Sequence, residues 1–219
     1  MFIPMPRVPS PAAARADRAP ASKHGGSTTS ERAADEKCEA ILEAALELFS
    51  ERGFYGTAVP VLAEKAKVAA GTIYRYFENK EAIVNALYRR EKAMLGGVLF
   101  AKFPVDAAPR DQFHCFWRSS FELARTHPKA LAFLELHHHQ SYLDEVSREL
   151  EARILSPAYA FFAMTAEKKV TKPYAPELLG AIVWGSFIGL IRASWEKRLE
   201  LTDEAIDQAE GCVWEAIRR

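Results

Sequence analysis

The sequence has no excess of charge of either sign: in 219 residues, Lys and Arg number 29 and Asp and Glu also number 29. Bulk electrostatics therefore offer nothing to draw in nucleic acid, a membrane or an acidic substrate, and any basic surface has to be local. Cysteine is scarce. Cys38, Cys115 and Cys212 form no CxxC pair and no short metal-type spacing, which argues against a disulfide frame or a metal site and fits packing residues of a reduced, cytoplasmic protein. Long hydrophobic runs are missing too. "LLGAIVWGSFIGLI", 14 apolar or small residues before Arg192, falls short of the roughly 20 a bilayer requires, so no membrane partner is expected. Prolines at 4, 6, 9 and 11 break any signal-peptide core. With no nucleophile elbow, Gly-rich phosphate loop or His/Cys ligand spacing, neither an enzyme nor a cofactor is expected.

What is present is helix. At 49% hydrophobic the chain has enough apolar material for a large core or for two domains. Residues 1–34 are rich in Pro, Ala, Ser and Gly without apolar periodicity, and are expected to be a disordered arm. Arg7, Arg15, Arg18 and Lys23 outnumber Asp17 there, so the arm is either a basic follower of a DNA backbone or a start without a role. From residue 35 the apolar spacing is helical, and Gly and Pro divide it into about nine helices with no strand alternation. The expected class is all-α.

The first helix places Cys38, Ile41, Leu42, Ala45, Leu48 and Phe49 on one face and stops at Gly53. Glu39, Glu43, Glu47 and Glu51 line the other side as an expected solvated row. Thr57 is placed to N-cap a short second helix with Pro60 in its first turn. Lys67 and Val68 then turn the chain into "AAGTIYRYF". Two short helices around a tight turn make a helix-turn-helix, whose second member enters the major groove of double-stranded DNA. Ala69, Ala70 and Gly71 permit close backbone approach, and Ile73 and Phe77 hold the inner side. Thr72, Arg75 and Tyr76 remain outside: Arg75 suits guanine, Thr72 a thymine methyl or phosphate, and Tyr76 with Lys80 the backbone. Residues 31–80 carry seven basic against nine acidic side chains, so binding depends on segregation of Lys67, Arg75 and Lys80 around the recognition helix.

Gly53, Thr57, Ala63, Val68 and the run "GTIYRYFENKEA" together resemble the DNA-binding motif of the tetracycline-repressor (TetR) family. The resemblance implies an all-helical homodimer, with a helix-turn-helix domain over 35–80 and a larger effector-binding and dimerisation domain over 81–219. By the same resemblance, Thr57 and Tyr76 are phosphate contacts, Lys80 is a backbone clamp, and Thr72, Tyr74 and Arg75 are base-proximal, although a packing role for Tyr74 also fits. Pro60, Lys67 and Ala69-Ala70 depart from the common pattern and remove contacts, which shifts selectivity toward DNA shape and the arm.

The fourth helix, about Lys80 to Leu99, joins the domains, either as a lever or as a rigid connector. Beyond it, helices are expected to start near Arg110, Lys129, Leu143, Pro176 and Asp203, with Pro157 marking a kink. Phe113, Trp117 and Phe121 recur at i, i+4, i+8, and Phe133, His137, Phe161, Phe162 and Trp184 are placed to meet them, as core or as walls of an apolar ligand cavity. In "LELHHHQSYL" the three histidines point about 100° apart and cannot share one ion. His137 and His138 are packing or surface groups, or ligand donors. Ala181, Gly185, Gly189 and Ala193 give a smooth side beside Trp184, Ile188, Ile191 and Trp195. By the resemblance this is a dimer interface formed by Gly185, Ile188, Gly189 and Trp195; packing within the subunit is the alternative. Two functions compete: a repressor released by a small apolar or aromatic effector, and a ligand-binding or structural helical dimer that has lost specific DNA binding.

Overall fold

The computed structural model describes residues 29–137, 139 and 141–219. Among the described residues it contains nine helices: α1 (Thr29–Arg52), α2 (Val59–Lys65), α3 (Ala70–Tyr76), α4 (Lys80–Phe100), α5 (Pro109–Thr126), α6 (Pro128–Leu136), α7 (Glu145–Glu167), α8 (Pro176–Trp195) and α9 (Asp203–Ile217). The only extended pairing among them is an isolated bridge between Thr171 and Arg218. Because α1 already begins at Thr29, residues 29–34 are helical rather than part of a disordered arm. Arg7, Arg15, Arg18 and Lys23 lie outside the described residues, as does His138.

Local chemistry sets the helix ends. Pro60, Pro109 and Pro176 occupy the first turns of α2, α5 and α8, where a missing N–H costs nothing. Asn79 caps α4 by accepting from the Ala82 amide at 2.8 Å, and Thr202 caps α9 through the Ala205 amide at 3.1 Å. Gly53 ends α1 at φ +68°. After α2, α7 and α8 the left-handed position is filled by lysine instead: Lys67, Lys169 and Lys197 have φ of 55°, 58° and 57°. In each case the next amide reaches back to a carbonyl five residues earlier, Val68 to Ala63, Val170 to Thr165 and Arg198 to Ala193, at 2.9–3.0 Å. These are Schellman caps in which a side chain tolerates strain of about 1 kcal/mol or more and sets a cation at the negative helix end. Pro157 lies inside α7 without ending it.

The described chain forms two compact units, one running to Ala93 and including Lys129–Arg148, the other comprising Met94–Pro128 and Glu149–Arg219. The expected division at residue 80 is therefore not where compactness breaks, because most of α4 and all of α6 pack with the helix-turn-helix. In this first unit Ile41, Leu42, Leu62, Ile73, Ile83, Leu87, Leu131 and Phe133 are fully buried, each contributing about 1.5–3 kcal/mol by removal from water. Phe49 of α1 stacks on Phe133 of α6 at 6.3 Å. The glutamate row on α1 is not simply solvated: Glu39 and Glu43 pair with Arg90 at 2.7 and 3.0 Å, and Glu47 pairs with Lys65 at 2.6 Å. Buried Asn85 of α4 donates to the carbonyls of Glu81 and Tyr142 and accepts from the Asp144 amide and the Ser147 hydroxyl. Arg89 adds hydrogen bonds to Asp144 and Ser147. Although burial pushes the Asp144 carboxyl up, the bonds from Ser147 and Arg89 hold it below its usual range.

The second unit is built on α5, α8 and α9, each in contact with the other two. Leu179, Val183, Phe187 and Ile191 form the buried stripe of α8. From α5, Arg110 and His114 both pair with buried Glu210 of α9, His114 at 2.8 Å. The Trp117 indole donates to the Ile206 carbonyl at 3.0 Å, and Arg118 reaches Asp203 and Asp207. Helix α8 is 20 residues long and holds an 18-residue window of mean hydropathy 1.5, so by length and composition alone it is apolar enough to cross a bilayer, which its 14-residue central run did not suggest. Its buried stripe within a helical core is what a helix of a water-exposed bundle requires.

Candidate nucleic-acid interface

The helices α2 and α3 are seven residues each and pack against one another, as do α1 and α2. The turn between them closes at Lys67, so the two helices form a helix-turn-helix whose inner residues Leu62, Ala63 and Ile73 are buried. Neither short helix has a side-chain N-cap; Ala58 and Ala69 occupy those positions. At the start of α3, Ala70 and Gly71 are exposed, and a Cβ added to Gly71 would meet nothing within 4 Å. The Thr72 amide donates to the Ala69 carbonyl at 2.8 Å, and the start of α3 is the positive end of a helix without a side-chain cap.

Beyond that end, Thr72 is half-buried, Tyr74 is 56% exposed, Arg75 is exposed and Tyr76 is half-buried. The packing alternative for Tyr74 is thereby disfavoured, since more than half of it faces solvent. Arg75 and Lys67 form no ion pair among the described residues, whereas Lys65 is held by Glu47. Lys80, at the first position of α4, places its ammonium 4.2 Å from the centre of the Phe54 ring, and burial draws its pKa down.

Thr57 departs from expectation. It is 2% exposed, and its hydroxyl donates to the carbonyls of Gly53 at 3.0 Å and Leu48 at 3.3 Å. The side chain therefore clips the α1 C-terminus, leaving neither the α2 cap nor an outward hydroxyl for phosphate.

The residues expected to line an effector cavity are drawn from both units. Trp117, Phe121 and Trp184 belong to the second unit, while Phe133 and His137 belong to the first; His138 is not described. Trp117 is completely buried and anchored to α9, and Phe121 is 7% exposed and packs edge-on to Phe187 at 5.1 Å. These two are core. Phe133 is 1% exposed in the first unit. His137 donates from Nε2 to the Ser50 carbonyl at 3.1 Å, placing it on the α1 C-terminus with its ring against Gly53. Buried His139, not nominated from sequence, is the inward histidine. Its Nε2 faces the Phe133 carbonyl, which can only accept, so Nε2 carries the proton and Nδ1 accepts from the Tyr142 hydroxyl at 2.8 Å. Burial pushes His139 below its ordinary range and Tyr142 up to about 12.

Two features of the second unit bear on what it can bind. Phe100, Phe103, Phe116 and Trp184 form a half-buried aromatic row, with centroids 5.9 Å (Phe100–Phe103), 6.3 Å (Phe100–Phe116) and 6.4 Å (Phe116–Trp184) apart; "VLFAKFP" carried no periodic signal. On α8, Gly185 and Gly189 are exposed with open space where a Cβ would stand. Ile188 is half-buried, and Leu178, Ile182 and Trp195 are 50%, 37% and 39% exposed. Packing of this smooth side within its own subunit is not what the structure shows.

Comparison with known proteins agrees with this geometry. The family model for bacterial regulatory proteins of the tetR family matches residues 41–87, and that for the tetracyclin repressor-like C-terminal domain matches 94–219. The HTH-type transcriptional regulator RutR of Escherichia coli K12 is 32% identical over 158 residues, 71% of this chain and 74% of that protein. In fold, the chain matches a TetR family transcription regulator from Marinobacter aquaeolei VT8 (TM-score 0.74, 23% identity, 85% of this chain and 98% of that one). It also matches AibR in complex with isovaleryl coenzyme A and operator DNA (TM-score 0.63, 22% identity, 81% and 96% covered). An all-helical chain with an open recognition helix, matched along both of its parts, belongs to the TetR family of transcriptional regulators.

Proposed function

We propose that this regulator is a repressor, acting as a homodimer on a palindromic operator and released by a small, mostly apolar or aromatic effector. The observation that carries the DNA-binding part is the unsheathed outer side of α3. Tyr74 and Arg75 face solvent beside an uncapped helix start, and Arg75 has no ion pair among the described residues, whereas Arg89, Arg90, Arg110 and Arg118 are paired. Arg75 suits a bidentate contact to guanine, while Tyr76 and Lys80 suit phosphates. The clipped hydroxyl of Thr57 leaves it a structural part in this reading.

Two copies are proposed to meet through α8 and α9. The support is an exposed small-residue side on α8 flanked by Leu178, Ile182 and Trp195, an apolar face that water covers at a cost. Both α4 and α7 carry the chain from one compact unit into the other, so an effector held in the second unit has two continuous helices through which to bias the first. The aromatics offered to it are Phe100, Phe116 and Trp184 rather than the fully buried Trp117.

The test is fluorescence-anisotropy titration of the full chain against duplex from its own upstream region, alongside molar mass by light scattering. Wild type should bind as a dimer. Gly189→Arg, which has open space within its own subunit, should remain folded, become monomeric and lose at least about 100-fold in affinity. A dimeric Gly189→Arg protein that binds normally would remove α8 from the interface.

A further inference from the structure

The clamp lysine at the start of α4 sits on an aromatic shelf that reaches far along the chain. Lys80 Nζ lies 4.2 Å from the centre of the Phe54 ring. Phe54 in turn stacks on Tyr142, with centroids 4.4 Å apart and planes 27° from parallel. The Tyr142 hydroxyl is fixed by His139 Nδ1 at 2.8 Å, and His139 is itself buried and tied to the Phe133 carbonyl. All of these groups belong to the first compact unit. Half-buried Phe54 also meets Phe49 at 6.2 Å and Tyr55 at 5.2 Å, so its plane is set from several sides.

A lysine at the first position of a helix has four rotatable side-chain bonds and ordinarily samples many rotamers, whose loss opposes any contact it makes. Here Lys80 has no ion-pair partner among the described residues, and the negative face of a fixed ring holds the ammonium instead. A ring holds a cation without neutralising it. The hydrogens turned away from the ring remain available to an acceptor, and the partly dried stem raises the attraction of that charge for an anion.

We propose that Phe54 and Tyr142 are positioning residues for Lys80, forming a shelf that pre-orders its ammonium to receive a DNA phosphate. This rests on the DNA-binding reading above. The same geometry explains why a segment as remote as Tyr142 belongs to the helix-turn-helix unit: it backs the ring that backs the lysine.

The experiment is a double-mutant cycle on the full chain, using a duplex enriched from a random-sequence library by the wild-type protein. Phe54→Leu keeps apolar volume and removes the ring face. It should weaken binding by about tenfold in a dimer carrying two shelves, and Phe54→Tyr should restore it. Lys80→Ala should weaken binding and reduce the slope of log affinity against log salt by about two, one phosphate per subunit. In the Lys80→Ala background, Phe54→Leu should cost nothing further. Should Phe54→Leu fail to fold, Tyr142→Leu enters the same cycle. Additive losses, or no loss on Lys80→Ala with wild type binding well, overturn the shelf while leaving DNA binding intact. If wild type enriches no duplex at all, the DNA-binding reading falls and the shelf with it.

Discussion

Helices α3 and α5 both carry aromatics and arginine, and they differ in whether their polar groups already have partners. On α5, Arg110, His114, Trp117 and Arg118 all bond to α9. On α3, Arg75 has no ion pair among the described residues, and Tyr74 stands 56% exposed. The first pattern is a helix–helix seam. The second leaves donors facing water, a state that loses little alone and gains when phosphates and base edges arrive. Aromatic and arginine spacing does not distinguish core from interface; hydrogen-bond accounting does.

The comparison breaks most visibly at Trp117. Trp117→Ala opens a cavity and removes the indole's hydrogen bond to the Ile206 carbonyl, so the folded chain should lose about 3–5 kcal/mol, read as a denaturant midpoint shift. A stable variant with a blunted effector response would instead make Trp117 a pocket wall. Arg75→Ala should do the opposite. Its stability should stay within about 0.5 kcal/mol of wild type, while discrimination at one operator base pair falls by about 1–3 kcal/mol, measured across single-base operator variants. Uniform weakening of all variants would reassign Arg75 to a phosphate.

A smaller effect concerns pH and a single histidine of the first unit. His139 is buried and neutral, with its folded pKa depressed by burial. Its contribution to stability is therefore fully present above the unfolded value of about 6.5 and declines as pH falls below that value toward the folded pKa. Thermal melts stepped down from pH 7 should show the midpoint dropping through this window, with a flatter dependence in His139→Gln. An identical slope in that variant would place the titrating group elsewhere.

How legible each part was follows from the range of the interactions. Helix positions were readable because apolar period, Pro at first turns and Gly53 at φ +68° act within a few residues. The turn at Lys67 was readable too, but the left-handed caps at Lys169 and Lys197 were not, since lysine has no preference for that backbone and only the returning hydrogen bonds reveal them. Arg75 and Lys80 could be found in the local run "GTIYRYFENKEA". Thr57 was misassigned because its hydroxyl turns to Leu48, nine residues back, a direction no pattern encodes. The pairing of Phe54 with Tyr142, and the separation of Phe133 from Trp117 into different units, depend on chain return over tens of residues. The smooth side of α8 was visible as Gly185 and Gly189, but whether it met its own chain or open space required coordinates.

The central claim is that α3 of two copies reads a symmetric DNA site. Its most direct test is selection of duplexes from a random library by the full-length wild-type protein, followed by sequencing of the enriched pool. The account predicts a palindrome whose half-sites are centred about one helical turn, roughly 34–36 Å, or a multiple of it apart, with enrichment lost in Arg75→Ala at one base pair per half-site. Enrichment of a single asymmetric site, or of no sequence at all, would contradict it.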